Sequence, residues 1–448
     1  MTRMSCSSCI NRRLTAFFAV LFLTLSILPA LSPHVCAASE DAPDIENCTA
    51  AYLYNFENDR VVFEYRPDER AFPASTVKLM TALVVYDAFG DALDTRITVT
   101  QEMLNEVTGN SIDFNVGEVV TVEQMLNCML VNSANDAAII LAHAVAGSTA
   151  AFVERMNEKA GALGMYNTNY TNCTGMHDPR MITTAADTAK VAQAAYAVPG
   201  FVDITSQQKY TMPATNFEAE REIYNRNAMI SKYYSTGYIY PSAVGLNAGA
   251  TEQGGYTLCA VAKDEENGLT YLAVVLGGLD EGGVLYNYEN GRRMFNWAFS
   301  AYSYRPVLST SQVICELPVR LSSTIDYVTL VPSETISVYL PAALDLDSVI
   351  RYSYNTYEEA LDAPIEAGTE AGVITVVYGE EIIGTCPLVT TTSVTRSEFL
   401  YFLDRIQQFT SGRFFKGTLV AIVVLSIVYV FAKAALREKK LRRMSGRR

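Results

Sequence analysis

A lysine within an otherwise apolar run constrains the fold of this chain more than any other feature. Pro73–Met80 reads P-A-S-T-V-K-L-M, and apolar residues dominate from Leu79 to Phe89. This pattern predicts a buried helix that carries Lys78. Burial disfavours the charged ammonium and so lowers the pKa of a lysine. The sequence therefore predicts a buried amine that can accept a proton, as a lysine base must.

Ser75 lies three residues before this lysine. Residues i and i+3 share one face of a helix, so the Lys78 amine can reach the Ser75 hydroxyl. A serine hydroxyl is a weak nucleophile at neutral pH and needs such a base. Pro73 and Ala74 predict that Ser75 occupies the first helical turn, where backbone amides and the helix dipole can stabilise an oxyanion. The S-x-x-K pattern also occurs by chance, so this prediction depends on residues further along the chain.

The N-terminal residues 1–38 have the pattern of a secretory signal peptide. Arg12 and Arg13 precede an apolar stretch, residues 14–31, and small residues at 35–38 suit cleavage. Prolines interrupt the apolar stretch before this site, which favours cleavage over the alternative of an uncleaved anchor helix. We therefore expect the chain to be exported.

A second apolar segment, residues 414–433, lies near the other end of the chain. It approaches the roughly 20 residues needed to cross a bilayer. The basic tail that follows, residues 434–448, favours the cytoplasmic side, and it disfavours the alternative of a buried core helix. The sequence thus predicts a single-pass protein of the cell membrane, with its body on the extracytoplasmic side and its tail in the cytoplasm.

The composition narrows the set of partners and cofactors. The formal net charge is −14, and basic residues concentrate near both ends, so the body is more acidic than the total. An acidic body argues against a nucleic-acid partner. The six cysteines after the signal peptide lack C-x-x-C spacing, which disfavours a zinc site, and no cofactor is indicated. An extracytoplasmic location permits disulfides, whose pairing the sequence leaves open.

The character of the sequence changes near residue 304. Residues 45–304 mix helical and strand patterns, and two alternating apolar runs between residues 50 and 65 predict a β-hairpin. Residues 305–394 contain short β-rich runs bounded by Gly, Pro and Ser, which predict a small all-β domain. Residues 395–413 form an amphipathic linker that lies on the bilayer surface or acts as a stalk; the sequence leaves both open.

A second motif, Ser133-Ala134-Asn135, follows the first, and the words N-S-A-N-D-A-A, T-G-M-H-D-P and L-D-A-P-I-E-A-G accompany them. In order, spacing and context, residues 50–397 resemble the serine-type D-alanyl-D-alanine carboxypeptidases, the low-molecular-weight penicillin-binding proteins of peptidase type S11. The resemblance implies an α+β fold. In it, a β-lactamase/DD-peptidase-like domain, with an antiparallel sheet flanked by helices plus a helical lobe, precedes a small all-β domain and a C-terminal transmembrane helix.

The third motif of that family, K-T-G, is altered. Gly245–Thr251 reads G-L-N-A-G-A-T, so Asn247 and Ala248 stand in place of the lysine and threonine, and Gly249 remains. The change removes a cation and a hydroxyl from beside the substrate carboxylate, and each hydrogen bond to a charged group contributes about 1.5–3 kcal/mol. Arg226, in the stretch N-R-N, resembles a family arginine near the carboxylate pocket, and we expect it to compensate in part.

The resemblance implies acyl transfer on a peptidoglycan stem peptide that ends in D-Ala-D-Ala. Ser75 attacks the penultimate carbonyl, Lys78 takes its proton, and Ser133 passes a proton to the departing D-alanine. Asn135 hydrogen-bonds the peptide amide, while the backbone N–H groups of Ser75 and Ala250 form the oxyanion hole. Asn247 and Gly249 belong to the substrate-binding strand. β-Lactam antibiotics are expected to acylate the same serine.

Other chemistries fit the sequence less well. The mature chain holds only His143, within an apolar helix, and His177, in the T-G-M-H-D-P turn, which disfavours a Ser-His-Asp hydrolase and a metallohydrolase. For His177 a structural hydrogen bond is expected, and for Asp136 a helix cap. The active carboxypeptidase competes with a catalytically impaired relative that binds peptidoglycan or partner proteins at the membrane. A β-lactamase-like hydrolase, which the lack of a deacylating glutamate motif disfavours, is the third alternative.

Overall fold

The computed structural model describes residues 42–445, with side chains as far as residue 437. The chain divides into two compact units between Phe299 and Ser300. The predicted signal peptide, residues 1–38, lies outside the described residues.

The first unit combines strands and helices, as an α+β domain does. Its strands are β1 (Ala50–Asn55), β2 (Arg60–Tyr65), β3 (Arg96–Thr98), β4 (Val119–Thr121), β5 (Lys209–Met212), β6 (Arg221–Tyr224), β7 (Ala243–Thr251), β8 (Gly255–Asp264), β9 (Leu269–Gly278), β10 (Asp280–Glu281) and β11 (Val284–Leu285). Its helices are α1 (Val77–Phe89), α2 (Gln101–Asn105), α3 (Val122–Asn132), α4 (Asn135–Ala146), α5 (Thr149–Ala162), α6 (Ala185–Tyr196), α7 (Phe201–Thr205) and α8 (Tyr286–Ala301), which crosses the division.

An antiparallel five-stranded sheet in the order β2-β1-β9-β8-β7 forms the centre of this unit. The predicted hairpin is its β1–β2 pair. Nearly every residue of β9 is buried, because helices α6 and α8 pack against it. A strand covered on both faces reads as a continuous apolar run rather than as an alternation. Strand β7 lies at the open edge, so its outer side is available to a ligand.

Helix α1 runs through the middle of the helical part of the unit. Its residues from Val77 to Val85 are all buried, against α4, α5 and α6. Caps fix the ends of its neighbours: Thr121 and Gln124 form a capping box at the start of α3, and the Thr184 hydroxyl accepts the Asp187 amide at the start of α6. The rigid packing around α1 holds its first turn in place.

The second unit is mainly β structure with its own apolar core. Its strands are β12 (Tyr302–Leu308), β13 (Cys315–Arg320), β14 (Tyr327–Pro332), β15 (Ile336–Pro341), β16 (Ile350–Thr356), β17 (Leu361–Asp362), β18 (Glu370–Tyr378) and β19 (Glu381–Thr390). Six of them form a sheet in the order β16-β18-β19-β14-β13-β17, and β12 pairs with β15. One short helix, α9 (Leu346–Val349), interrupts the β-rich run, which the sequence pattern did not predict.

Two helices end the described chain, α10 (Glu398–Ser411) and α11 (Arg413–Ser445). Helix α10 is amphipathic and lies within the predicted linker. Within α11, Arg413–Arg437 is long and apolar enough to cross a membrane. This stretch contains the predicted span at residues 414–433.

Candidate active site

Ser75 lies in a 3₁₀ turn, Ala74–Thr76, that leads directly into α1. Ala74 before it has a φ of 46°, in the left-handed region that residues with a side chain rarely adopt. Such backbone strain persists only where surrounding structure enforces it, and it is common at functional sites. The structure thus places Ser75 at the helix start that the sequence predicted.

Lys78 is fully buried, and its Nζ atom lies 3.5 Å from the Ser75 Oγ atom. Desolvation by burial lowers the pKa of Lys78 from 10.5 to about 7; the charge of Arg226 lowers it further, while Cys173 and Asp136 oppose the shift. The amine also donates a hydrogen bond to the Thr174 carbonyl at 2.5 Å. A neutral amine can donate there and still accept the serine proton with its lone pair. This is the arrangement of a base beside its nucleophile.

Thr174 is a contributor that sequence reasoning missed. The Asn172 Oδ1 atom accepts hydrogen bonds from the Thr174 and Gly175 amides, which shapes the turn. Gly175 has a φ of +85°, and a Cβ atom there would lie 2.0 Å from the Ala74 carbonyl oxygen. Only glycine allows this approach. The T-G pair in the sequence indicated a turn at this point. It did not indicate that a backbone carbonyl in this turn would orient Lys78.

The second motif joins two helices at the edge of the site. Ser133 ends α3 with a φ of 61°, and Asn135 begins α4. The Asn135 Nδ2 group donates to the Thr108 carbonyl at 2.7 Å, which holds the side chain by its donor end. Its Oδ1 acceptor remains for a ligand N–H group. Both side chains line one cleft with Ser75.

Asp136 lies in the first turn of α4 and does not cap it, because the N-cap is Ala134 and no side chain makes a capping hydrogen bond there. Its Oδ2 atom accepts the Ile112 and Asp113 amides at 2.9 Å each, and its Oδ1 atom accepts the Ala137 amide. Burial raises the pKa of Asp136, which these hydrogen bonds oppose. The helix cap predicted for Asp136 is therefore wrong, and its carboxylate instead holds the loop at residues 112–113 in place.

Strand β7 passes directly beside Ser75. A Cβ atom at Gly249 would lie 2.4 Å from the Ser75 Cβ atom, so a side chain there would displace the serine. Asn247 is 2% exposed, and its Oδ1 atom has no hydrogen-bond partner among the described residues. Ala248 and Ala250 line the cleft. Strand β7 therefore brings its backbone against Ser75, with Asn247 buried and Ala248 and Ala250 at the cleft surface.

The cleft that gathers these groups has a volume of about 470 Å³. Its lining comprises Ser75, Gly109, Asn110, Ser133, Asn135, Thr174, Gly175, Met176, Arg226, Ala228, Tyr234, Ser235, Ala248, Gly249, Ala250, Thr251, Tyr256, Leu285 and Tyr288. Arg226 is the charged member of this described lining. The predicted site residues thus converge on one cleft, with Lys78 and Asn247 buried behind its surface.

The histidines lie elsewhere in structural roles. His143 Nε2 pairs with Glu106 Oε1 at 2.8 Å on the side of α4. The His177 ring packs edge-on against Phe72, and its buried Nδ1 atom has no hydrogen-bond partner within residues 42–445. The structural hydrogen bond predicted for His177 is therefore not made by its Nδ1 atom. Over the same residues, no group of three or more His, Cys, Asp or Glu is placed to hold a metal ion.

Two family models match the chain. Residues 36–279 match D-alanyl-D-alanine carboxypeptidase, and residues 302–396 match the penicillin-binding protein 5 C-terminal domain. The first match contains most of the cleft lining, except Leu285 and Tyr288, and the second contains most of the β-rich unit.

Individual proteins give the same picture. The chain is 26% identical over 360 residues to D-alanyl-D-alanine carboxypeptidase DacF of Bacillus subtilis, covering 80% of this chain and 88% of that protein. It is 27% identical over 418 residues to D-alanyl-D-alanine carboxypeptidase DacC of Escherichia coli, covering 91% and 97%. The fold is similar to the crystal structure of penicillin binding protein 5 from Haemophilus influenzae, with a TM-score of 0.56 at 23% identity over 80% of this chain and 100% of that one. The predicted fold class is confirmed.

Proposed function

Because this chain belongs to the D-alanyl-D-alanine carboxypeptidase family, we propose that it removes the terminal D-alanine of peptidoglycan stem peptides through an acyl-enzyme on Ser75. The observation that supports this most is the buried Lys78 amine 3.5 Å from the Ser75 hydroxyl. Burial lowers the pKa of Lys78 to about 7, so a large share of the amine is neutral near that pH and can accept a proton.

The reaction proceeds by acyl transfer. The Ser75 Oγ atom attacks the carbonyl of the penultimate D-alanine, and its proton passes to Lys78 Nζ. The negative charge on the carbonyl oxygen is stabilised by the backbone N–H groups of Ser75 and Ala250, which do not depend on the altered side chains. Ser133 relays the proton to the nitrogen of the departing D-alanine, and the C–N bond breaks. Water then attacks the Ser75 ester and releases the shortened peptide.

A fluorescent penicillin tests the proposal on the purified full chain. Stable labelling of the native protein, with none on Ser75→Ala, and release of D-alanine from a stem peptide are the expected results. No label on the native protein supports the impaired relative, which Asn247 and Ala248 favour. Rapid turnover of the label supports the β-lactamase-like hydrolase instead.

The rate of Ser75 acylation should depend on pH through Lys78. Below a pH of about 7 the amine is protonated and cannot take the serine proton, so the rate should rise through that range and level off above it. Because the charge of Arg226 lowers this pKa, Arg226→Ala should move the midpoint to higher pH. Acylation by a penicillin, measured between about pH 5 and pH 9, tests both statements. A flat profile would remove Lys78 as the base.

Arg226 should carry recognition of the substrate carboxylate, since the cation and hydroxyl of the third motif are absent. A hydrogen bond to a charged group contributes about 1.5–3 kcal/mol, so Arg226→Ala should weaken binding about 10- to 200-fold. The loss should appear with a peptide that ends in a free carboxylate and not with its C-terminal amide. Arg60→Ala, on the opposite edge strand β2, is the control. Equal losses on both peptides would contradict the assignment.

We further propose that α11 anchors the protein in the cell membrane, with the catalytic unit on the extracytoplasmic side. The basic residues that follow the span favour the cytoplasm. Accessibility of each end to a protease added outside intact cells would test the orientation.

A further inference from the structure

The main chain around Arg226 is fixed on both sides. The Arg226 amide donates to the Val131 carbonyl at 3.0 Å, two residues before Ser133. The preceding Asn225 accepts the Asn227 amide at 2.8 Å with its Oδ1 atom. The segment is therefore anchored to the end of α3 and folded on itself. These contacts fix the backbone of Arg226 but not the direction of its side chain, whose guanidinium reaches the cleft.

Tyr288 of α8 holds the backbone on the C-terminal side of Arg226. Its hydroxyl accepts the Ala228 amide at 3.2 Å and donates to the Arg226 carbonyl at 3.4 Å. The side chain is nearly buried, and burial raises the pKa of Tyr288 to about 12, so the hydroxyl keeps its proton. One hydroxyl thus holds the two peptide groups that flank Asn227. The phenol ring lies against Tyr238 and lines the cleft.

Tyr234 holds the guanidinium itself. The Arg226 Cζ atom lies 4.9 Å from the centroid of the Tyr234 ring, within the range of a cation–π contact. The Tyr234 hydroxyl accepts an N–H from Asn132, the residue before Ser133, at 3.2 Å. Tyr234 is half exposed, so this bond decides where its ring stands. The Tyr234 side chain therefore contacts both the Arg226 guanidinium and the residue that precedes the second motif.

We propose that Tyr288 and Tyr234 are positioning residues that aim Arg226 at the terminal carboxylate of the substrate. The inference rests on the proposed function, because it assumes that the cleft takes a peptide with a free C-terminus. In a site whose third motif offers neither a cation nor a hydroxyl, the direction of one guanidinium decides how well a carboxylate is distinguished from an amide. Neither tyrosine touches the reacting atoms.

Binding measurements on the full chain carrying Ser75→Ala test this without requiring turnover. The probes are an acetylated peptide that ends in D-Ala-D-Ala and the same peptide with a C-terminal carboxamide. In the parent the carboxylate form should bind about tenfold tighter or more. Tyr288→Phe and Tyr234→Ala should each reduce this preference about fivefold and leave amide binding within about twofold. Adding either change to Arg226→Ala should give no further loss, since they act through the same guanidinium.

Matched variants separate positioning from a general structural effect. Tyr240→Phe removes a hydroxyl that bonds Asn296, and Tyr233→Ala removes a ring that packs on Tyr224; neither lines the cleft. Both should keep the full preference. Tyr234→Phe keeps the ring and loses the hydrogen bond to Asn132, so it should lose part of the carboxylate preference. It also provides a readout if Tyr234→Ala misfolds.

Three results would overturn the proposal. They are no carboxylate preference in the parent, an unchanged preference in Tyr288→Phe and Tyr234→Ala, or equal losses for both peptides. Penicillin labelling of native Ser75 is independent of these measurements. If labelling fails but the carboxylate preference is intact, the proposed reaction is overturned and the positioning role stands. If labelling succeeds but the preference is absent, the positioning role is overturned and the proposed reaction stands.

Discussion

Lys78→Met should slow the acylation of Ser75 strongly and, at low pH, stabilise the fold. Loss of a positioned base slows a reaction about 10²- to 10⁴-fold. The side chain is fully buried, and a pKa lowered from 10.5 to about 7 corresponds to a destabilisation of about 5 kcal/mol at low pH. The Thr174 carbonyl would lose its hydrogen-bond donor, and this loss would offset about 1–3 kcal/mol of the stabilisation. A net gain of about 2–4 kcal/mol in the free energy of unfolding is expected.

The sign of this gain follows from proton binding. Between pH 7 and pH 10.5 the unfolded chain binds a proton at Lys78 that the folded chain does not, so the native protein gains stability as pH rises there. The advantage of Lys78→Met should therefore be large at about pH 6 and small at about pH 10. Denaturant unfolding at both values measures it. Lys232→Met, which removes a lysine that is exposed, is the matched control. An equal effect of Lys78→Met at both pH values would contradict the buried-amine interpretation.

Asn247→Lys combined with Ala248→Thr should raise kcat/KM for a free-carboxylate peptide about 10²- to 10⁴-fold, since each restored hydrogen bond to a charged group is worth about 10- to 200-fold. Little is lost in exchange, because the Asn247 Oδ1 atom is buried without a partner among the described residues. Ala248 already lines the cleft, so a hydroxyl there would meet the substrate.

The C-terminal amide of the same peptide is the control for this double variant. Its kcat/KM should change little, because it carries no charge for the new groups to bind. A comparable increase for the amide would mean that the new residues act on Ser133 or Lys78 instead of on the carboxylate. No increase for either peptide would mean that Arg226 already supplies the recognition that the motif lost.

The parts of the site that the sequence predicted are those in which chemistry and spacing are local. Ser75 and Lys78 are one helical turn apart, and Ser133 and Asn135 stand at a helix junction, so short motifs define their geometry. The alternating apolar runs at residues 50–65 likewise predicted the β1–β2 hairpin, because its two strands are neighbours in the chain.

The parts that the sequence did not predict arise from contacts distant in the chain. Lys78 is oriented by the Thr174 carbonyl, a backbone group with no residue signature, 96 positions away. Tyr288 reaches the Arg226 carbonyl across 62 positions, and no motif in the sequence connects the two residues. Spacing rules describe neighbours on one element, and these partners meet only when sheet and helices pack.

The approach of β7 to the nucleophile has a consequence for how this enzyme can diverge. At Gly249 the strand meets Ser75 with nothing larger than a hydrogen atom. In the proposed mechanism, bond cleavage therefore requires this main-chain approach, and substrate selection is assigned to the side chains of residues 247 and 248 and of Arg226. Point mutations at these three positions can therefore change which substrates the enzyme accepts. Any residue with a side chain at position 249 would displace Ser75 and abolish activity in a single step.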